Sequence, residues 1–225
     1  EALTAHFSNI DAQMIKLTGH IRPTTIKGVA LSGGVDSMAL LSFLGNNRND
    51  LTAYFFDHGT KTSRDAMAFV SDYCEKKSIA LKVGVLQIEK PSRDSWEEFW
   101  RTQRYAWLHS QNDLIATGHH LNDLAETYIW GTAHGHPRYI HYQQPVKGGL
   151  SNIIRPMLLT PKKELYSWCE RHAVPFIEDA SNEDTRFTRN RIRRNILPEM
   201  LKVNPGFLKV VERSWKDYMK TVHYS

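Results

Sequence analysis

Residues 26–44 read IKGVALSGGVDSMALLSFL: an apolar run, a short loop of serine and glycine, and a second apolar run. Ile26–Leu31 predicts a buried strand and Asp36–Leu44 predicts a helix. The loop between them therefore joins the end of a strand to the beginning of a helix. In a parallel α/β sheet, a ligand binds at junctions of this kind.

The loop has the composition of an anion-binding site. Gly33 and Gly34 let the backbone turn tightly and approach an anion without a Cβ in the way. The hydroxyls of Ser32 and Ser37, with the free N–H groups of the helix start, can cradle a phosphate. Asp36 would repel a bare phosphate, which indicates that it holds a divalent cation such as Mg²⁺. The alternative is an ordinary strand-to-helix turn, since the loop lacks the lysine of a Walker P-loop.

The rest of the chain repeats this alternation of apolar runs and amphipathic stretches, which predicts βαβ units. Further strands are predicted over Leu51–Phe56, Ile79–Leu86 and Leu114–Thr117. Further helices are predicted over Ser63–Lys77, from Asp94 to about Ser110, over Leu121–Trp130, and from Thr160 to about His172. Gly131–Asn152 is interpreted as a long loop, with room for a short strand around Tyr139–Tyr142.

Composition excludes several classes of protein. Hydrophobic residues are 41% of the 225 and charged residues 24%, which are ordinary globular values. No apolar run approaches the roughly 18 residues of a membrane span, so we expect no membrane association. Cys74 and Cys169 form no CxxC pair, which argues against a zinc ribbon or an iron–sulfur site. With no secretory signal in the polar first residues, a cytoplasmic location is expected.

The charge is concentrated at the C-terminal end. The chain carries a net charge of +5, and residues 185–225 hold ten basic residues against three acidic ones. We predict a main domain over residues 1–185 and a basic helical tail over 186–225 that packs on it. Such a tail favours a polyanionic partner, and a solvated helix surface is the alternative.

Residues 115–127 read IATGHHLNDLAET, the end of a strand followed by a helix. His119 and His120 fall at the helix start, and Asp123 and Glu126 follow three residues apart, on one face. The two carboxylates could orient an amine or share a metal ion. The alternative is a capped helix with exposed acids. Zinc is poorly supported because no HExxH motif is present.

Two further segments carry arginines at helical spacing. Residues 101–108 read RTQRYAWL, where Arg101 and Arg104 suit a phosphate or an RNA backbone. Residues 178–199 read EDASNEDTRFTRNRIRRNILPE, a turn followed by a basic helix start. This basic cluster could contact RNA phosphates and bases, and a solvated helix is again the alternative. Its members are Arg189, Asn190, Arg193 and Arg194.

The segment SGGVDS resembles the pyrophosphate loop of the N-type ATP pyrophosphatases, the PP-loop superfamily. This resemblance implies an α/β fold with a Rossmann-like parallel sheet of about five strands and a small helical C-terminal appendage. It also implies that a substrate is adenylated by ATP and that pyrophosphate is released. Residues 54–59, YFFDHG, lie where these families bind the adenosine. Asp57 and His58 are the candidates there, with a polar strand end as the alternative.

Several motifs together narrow the resemblance to the tRNA(Ile)-lysidine synthetase family. They are SGGVDS, RxxRY, ATGHH with AET, Arg155-Pro156, and DxSN followed by RNRIR, and they extend roughly from Lys27 to Met200. The resemblance implies a ligase that uses ATP, Mg²⁺, free lysine and a tRNA. Adenylation would activate the 2-position of the wobble cytidine in a CAU anticodon, and the lysine ε-amine would then displace AMP to form lysidine.

The resemblance also implies roles for individual residues. ATP binding is expected of Ser32, Gly33, Gly34, Val35, Asp36, Ser37, Asp57 and His58, with Asp36 also holding the metal. Catalysis is expected of Asp36, Asp123 and Glu126. tRNA binding is expected of Arg101, Arg104, Arg189, Asn190, Arg193 and Arg194.

Two departures from the family pattern leave alternatives open. Asn122 precedes Asp123 where the family usually has a second acid, which could weaken metal binding. The chain also ends soon after Pro198, as a minimal form without the extra C-terminal domains of many members, so the tail, the 131–152 loop or a homodimer partner would supply tRNA contacts. No cysteine lies near the loop, which disfavours sulfur transfer. Another RNA-modifying or amidating enzyme, or a tRNA-binding relative without activity, remains possible.

Overall fold

A six-stranded sheet organises the computed structural model, which describes residues 15–19, 21–87, 96–146, 149–178 and 188–222, apart from the Glu97 side chain. The strands are β1 (Gly28–Leu31), β2 (Thr52–Asp57), β3 (Ala80–Val85), β4 (Ile115–Ala116), β5 (Gln143–Val146) and β6 (Gly149–Ile154). Their order across the sheet is β3-β2-β1-β4-β6-β5. β5 runs antiparallel to β6, and the other neighbouring pairs are parallel.

Helices connect and follow these strands. They are α1 (Val35–Gly45), α2 (Lys61–Lys76), α3 (Trp96–His109), α4 (Leu121–Ala133), α5 (Lys162–Arg171), α6 (Thr188–Arg191), α7 (Leu197–Val203) and α8 (Phe207–Val222). The predicted parallel α/β architecture is confirmed. The turn predicted before the basic helix start, at 182–185, lies outside the described residues. None of the described helices combines the length and the apolar content needed to cross a bilayer.

The sheet has six strands where about five were expected, because a hairpin lies in the segment interpreted as a loop. β5 begins at Gln143, so the strand suggested around Tyr139–Tyr142 is wrong in position. Its sequence, QQPV, is mostly exposed and has no apolar run to reveal it. Pro145 is tolerated there because an edge strand has N–H groups that face away from the sheet.

The main core lies between the sheet and the helices that cover it. Met38, Leu40 and Leu41 of α1 are fully buried, as are Val29 of β1 and Ala53 of β2. α1 packs against both β1 and α5, so it is apolar on nearly every side rather than amphipathic. This burial fixes the N-terminus of α1, and hence the loop before it, relative to the sheet.

A second core joins α4 to the C-terminal helices. Leu121 and Leu124 of α4 pack with Phe207, Val211 and Trp215 of α8. The indole of Trp215 also donates a hydrogen bond of 2.7 Å to the Ile140 carbonyl. The described part of the basic tail is therefore held against α4. The predicted domain boundary near residue 185 lies outside the described residues and stays a prediction.

The strand order reverses between β1 and β4, so the segments that follow these two strands lie side by side. Gly118, just after β4, approaches α1 so closely that a Cβ there would lie 2.9 Å from the Asp36 carbonyl carbon. Only glycine permits this contact without a shift of the backbone. The crevice at such a reversal is where open parallel sheets bind ligands.

Candidate active site at the reversal of strand order

The Ser32–Gly34 loop is held in place from outside. Gly33 has φ of +82°, a conformation that favours glycine, and a Cβ there would lie 2.9 Å from Cδ1 of Ile177. The backbone N–H of Ile177 donates a 3.0 Å hydrogen bond to the Gly33 carbonyl. The loop is therefore shaped by residues far along the chain as well as by its own sequence.

Hydroxyl groups brace the loop from inside. The Ser37 hydroxyl donates to the Gly34 carbonyl at 3.0 Å and accepts from the Ser32 N–H at 3.2 Å. Gly34 caps α1 without a side chain, so the first N–H groups of α1 remain available to an anion. This geometry suits the phosphate-binding role predicted for Ser32, Gly33, Gly34, Val35 and Ser37, which stays a prediction.

Asp36 opens the first turn of α1 beside two cationic or protonatable groups. Nε2 of His120 lies 3.4 Å from Oδ1 of Asp36, and Nζ of Lys162 lies 3.6 Å from Oδ2. Within the described ranges, Oδ1 is buried and accepts no well-aligned hydrogen bond. The Asp36 side chain still keeps 31% of its surface exposed. Because Oδ1 is buried against His120, another ligand could reach this carboxylate only through its exposed part.

Asp36 fits a Mg²⁺ ion that is shared with phosphate. Protein-bound Mg²⁺ commonly has one or two carboxylate ligands and completes its shell with phosphate oxygens and water. No group of three candidate metal ligands occurs in the described part of the chain. The metal-binding role of Asp36 stays a prediction.

His120 links Asp36 to α4. Nδ1 of its ring caps α4 by accepting a 3.3 Å hydrogen bond from the Asp123 N–H, and the backbone N–H of His120 donates to Oδ2 of Asp123 at 3.0 Å. Burial lowers the pKa of His120, but Asp123 and Asp36 outweigh it and raise the pKa overall. The cap bond requires an unprotonated Nδ1, which leaves the proton of the neutral ring on Nε2, facing Asp36.

The predicted catalytic carboxylates bind the predicted RNA-contacting arginines. Nε of Arg189 lies 2.9 Å from Glu126, and the Arg189 NH2 group lies 2.8 Å from Asp123. Nε of Arg193 lies 2.7 Å from Glu126, and its NH2 group lies 3.3 Å from Asp123. The side chains of Asp123 and Glu126 are only 9% and 2% exposed, which excludes the alternative of exposed acids.

The pKa shifts of Asp123 and Arg193 both favour the charged forms of these side chains. Burial would raise the pKa of Asp123, but His120 and Arg189 hold that pKa well below its usual range. Burial would lower the pKa of Arg193, but the hydrogen bond to Glu126 raises it. An incoming ammonium would therefore meet carboxylates that are already paired. The amine- or metal-orienting role of Asp123 and Glu126 stays a prediction.

Asp57 is the last residue of β2, and His58 follows it at the same edge of the sheet. Oδ1 of Asp57 accepts a 2.8 Å hydrogen bond from the Gly59 N–H, which shapes the turn. The His58 ring lies between Phe56 and Trp100, with centroids 5.1 Å and 5.5 Å away. Burial, and secondarily Arg104, lowers the pKa of His58 to about 4, so the ring is neutral near pH 7. Their role in adenosine binding remains a prediction.

The other predicted RNA-binding residues lie on two elements. Arg101 and Arg104 of α3 flank the Tyr105 ring, with their guanidinium carbons 4.6 Å and 5.8 Å from its centroid. Asn190 lies on α6, and Arg194 is exposed on the π-helical turn Ile192–Ile196 that follows it.

Two residues that sequence reasoning missed belong to this site. Lys162 approaches Asp36, although the sequence TPKK indicated only a helix start. Asn122, noted as a departure from the family pattern, accepts a 3.0 Å hydrogen bond from the Lys162 N–H through Oδ1. The amide therefore caps α5 and positions Lys162. In the sequence, the only sign of this contact was the polar residue Asn122 just before Asp123.

Comparison with known proteins identifies the family. A family model described as a PP-loop domain matches residues 7–200. The tRNA(Ile)-lysidine synthase of Thermosipho africanus is 34% identical over 205 residues, covering 84% of this chain and 48% of the relative. The enzyme of that name from Nitratidesulfovibrio vulgaris is 35% identical, covering 84% of this chain and 58% of the relative. The chain thus spans about half the length of the curated relatives it matches.

A solved structure shares the fold. The U34-tRNA thiolase NcsA from Methanococcus maripaludis, with its [4Fe-4S] cluster, superimposes with a TM-score of 0.68. The sequences are 17% identical, and the match covers 87% of this chain and 73% of that one. The fold, the glycine-rich loop at the start of α1 and the match over residues 7–200 agree: the chain belongs to the family of PP-loop domains.

Proposed function

We propose that this chain catalyses both steps of a tRNA(Ile)-lysidine synthase reaction. In the first step, O2 of the wobble cytidine attacks the α-phosphorus of ATP and pyrophosphate leaves. In the second, the ε-amine of free lysine loses a proton and attacks C2 of the base, and AMP leaves. The products are lysidine in the anticodon, AMP and pyrophosphate.

One observation carries this proposal. The glycine-rich loop and Asp36 lie at the reversal of strand order, joined through His120 to Asp123. A phosphate site thus adjoins a buried charged cluster that can contact a second substrate. The identities of 34% and 35% to tRNA(Ile)-lysidine synthases support lysidine formation over other uses of the same loop.

In the adenylation step, the loop and Asp36 handle the nucleotide. The free N–H groups at the start of α1 and the Ser32 hydroxyl would bind phosphate oxygens. Asp36 would hold Mg²⁺, which when bound neutralises the charge developing on pyrophosphate. Lys162, 3.6 Å from Asp36, adds a mobile cation next to the same oxygens. Together these groups stabilise the leaving pyrophosphate and so favour adenylation.

In the second step, the α4 cluster would handle the amine. Asp123 and Glu126 are buried carboxylates on the side of the crevice next to Asp36. The lysine ε-ammonium needs such groups to hold it before it loses its proton. Arg189 and Arg193 occupy them in this structure, so binding of the amine would require at least one guanidinium to shift.

Sulfur transfer is the principal rival, because the structural neighbour is a thiolase. The chain has two cysteines, Cys74 and Cys169, fewer than an iron–sulfur cluster needs. Both are buried, and burial raises the pKa of each thiol to about 11. Neither is a thiolate near pH 7, which disfavours both thiol attack and cluster ligation.

The test is incubation of the purified chain with tRNA(Ile), ATP, Mg²⁺ and radiolabelled lysine. Incorporation of label into tRNA, with one AMP released for each lysine, would support the proposal. Mass analysis of the digested tRNA separates lysidine from a product made with another nucleophile. Binding of tRNA without AMP release would instead favour a relative that lacks activity.

A further inference from the structure

A cavity of about 260 Å³ opens beside the charged cluster and shares Arg189 with it. Arg101, Arg155 and Arg189 supply three guanidinium groups to its wall. No carboxylate from the described residues lines it. Arg189 is paired with Asp123 and Glu126, so the positive charge of the lining comes from Arg101 and Arg155.

Arg155 is the most informative of these groups. It follows β6 and is only 3% exposed. One terminal nitrogen donates a 2.8 Å hydrogen bond to the His141 carbonyl. Its Nε is buried and has no hydrogen-bond partner among the residues that the structure describes. A buried guanidinium with an unused donor is costly unless an anion completes its hydrogen bonds.

The pKa of Tyr105 agrees with positive charge at this wall. Burial would raise that pKa, yet Arg101 and Arg155 lower it. At His119 and Arg104 burial is the main cause of the lowered pKa, and Asp123 opposes the shift at His119. Tyr105 is therefore the group whose shift follows from the nearby cations.

The size of the cavity limits what can enter. Its volume of about 260 Å³ lies just below the range of about 300–1,000 Å³ that small-molecule pockets span. Free lysine has ten non-hydrogen atoms, whereas a nucleotide has about twice as many. A small acid, or one phosphate group of a larger ligand, therefore fits the cavity.

We infer that this cavity is a receptor for a substrate oxyanion, with Arg155 as its buried anchor and Arg101 at its rim. The inference rests on the proposed function, which supplies two sources of that group: the α-carboxylate of lysine and a phosphate of the tRNA. The shared chemistry is a charge-assisted hydrogen bond from guanidinium to oxygen.

The test compares Arg101→Gln and Arg155→Met with Arg171→Gln, an exposed arginine of α5 outside the cavity. Melting temperature establishes that each variant folds, and Arg101→Gln keeps the test open if Arg155→Met does not. Three quantities are measured on the whole chain: tRNA adenylation, the KM for lysine, and the dependence of tRNA affinity on salt. Cadaverine, which is lysine without its carboxylate, is assayed as the alternative amine.

If the oxyanion is the lysine carboxylate, both cavity variants raise the KM for lysine by about tenfold or more and leave that for cadaverine unchanged. If it is a tRNA phosphate, both variants lower the slope of log affinity against log salt by about one unit. Wild-type behaviour in both measurements would overturn the inference. Absence of adenylation by the wild-type chain would instead refute the proposed function. The cavity would then still be tested by comparing how the wild type and the cavity variants bind lysine, cadaverine and tRNA.

Discussion

Replacing Glu126 with glutamine removes one negative charge from the buried cluster and keeps its shape. Glu126 is 2% exposed and accepts from Nε of both Arg189 and Arg193, at 2.9 Å and 2.7 Å. Breaking a fully buried ion pair costs about 3–5 kcal/mol, while an exposed pair is worth about 0–1 kcal/mol. The two arginine side chains are 39% and 27% exposed, so solvent screens part of the loss. We expect Glu126→Gln to lower the free energy of unfolding by about 2 kcal/mol.

The assay is thermal unfolding of the wild type and of matched variants. For a chain of 225 residues, a loss of about 2 kcal/mol corresponds to a fall in Tm of roughly 4–8 °C. Glu199→Gln is the control, because Glu199 forms an exposed pair with Lys202 at 2.7 Å and its side chain is 67% exposed. The control is expected to lower Tm by about 2 °C or less.

A double-mutant cycle separates the ion pair from other effects. Glu126→Gln and Arg193→Met together are expected to cost less than the sum of the two single changes. Equal Tm values for Glu126→Gln and Glu199→Gln would refute the reasoning. In the catalytic assay, we also expect Glu126→Gln to spare ATP binding and to impair lysine incorporation more than adenylation. Equal loss of both steps would favour a structural or metal-related role.

Three further predictions follow from the site. Asp36→Ala is expected to abolish AMP formation and leave Tm nearly unchanged, because the side chain is partly exposed; unchanged Mg²⁺-dependent turnover would refute the metal assignment. The pKa of His58 is about 4 in the folded protein and about 6.5 in the unfolded chain. The neutral ring therefore contributes to stability above pH 6.5, and this contribution is lost as the pH falls toward 4. His58→Gln is expected to flatten that part of a profile of Tm against pH. Neutralising Arg189, Arg193 and Arg194 together is expected to lower the salt dependence of tRNA affinity by about one slope unit per phosphate contact, and an unaltered slope would locate the RNA elsewhere.

Local features of the sequence were sufficient to predict the strand–loop–helix junction around Ser32–Gly34. A strand, two glycines and a helix occur within residues 26–44, so each signal depends on near neighbours. The same holds for the parallel strands β1 and β2, whose apolar runs are continuous because both faces are buried. β5 was missed because an exposed antiparallel edge has no such run.

Pairings between distant elements could not be predicted. The spacing of Asp123 and Glu126 indicated one face of a helix, and that of Arg189 and Arg193 indicated another. Periodicity does not say which faces meet, and Arg189 is 66 positions from Asp123 along the chain. The carboxylates were therefore assigned to an amine and the arginines to RNA, although in the fold they bind one another.

That pairing divides the crevice into two electrostatic environments. Oδ2 of Asp123 accepts a hydrogen bond from the backbone N–H of His120, and Oδ1 accepts hydrogen bonds from Arg189 and Arg193. One carboxylate thus contacts the phosphate-loop side through His120 and the cationic cavity through Arg189. Both oxygens of Asp123 are occupied. A ligand that draws Arg189 toward the cavity would therefore weaken the bond between Arg189 and Asp123. Asp123 also orients His120 beside Asp36. If the cavity binds an oxyanion and the Ser32–Gly34 loop binds phosphate, as proposed, the two sites share Asp123, and an effect of oxyanion binding on adenylation would be transmitted through this residue.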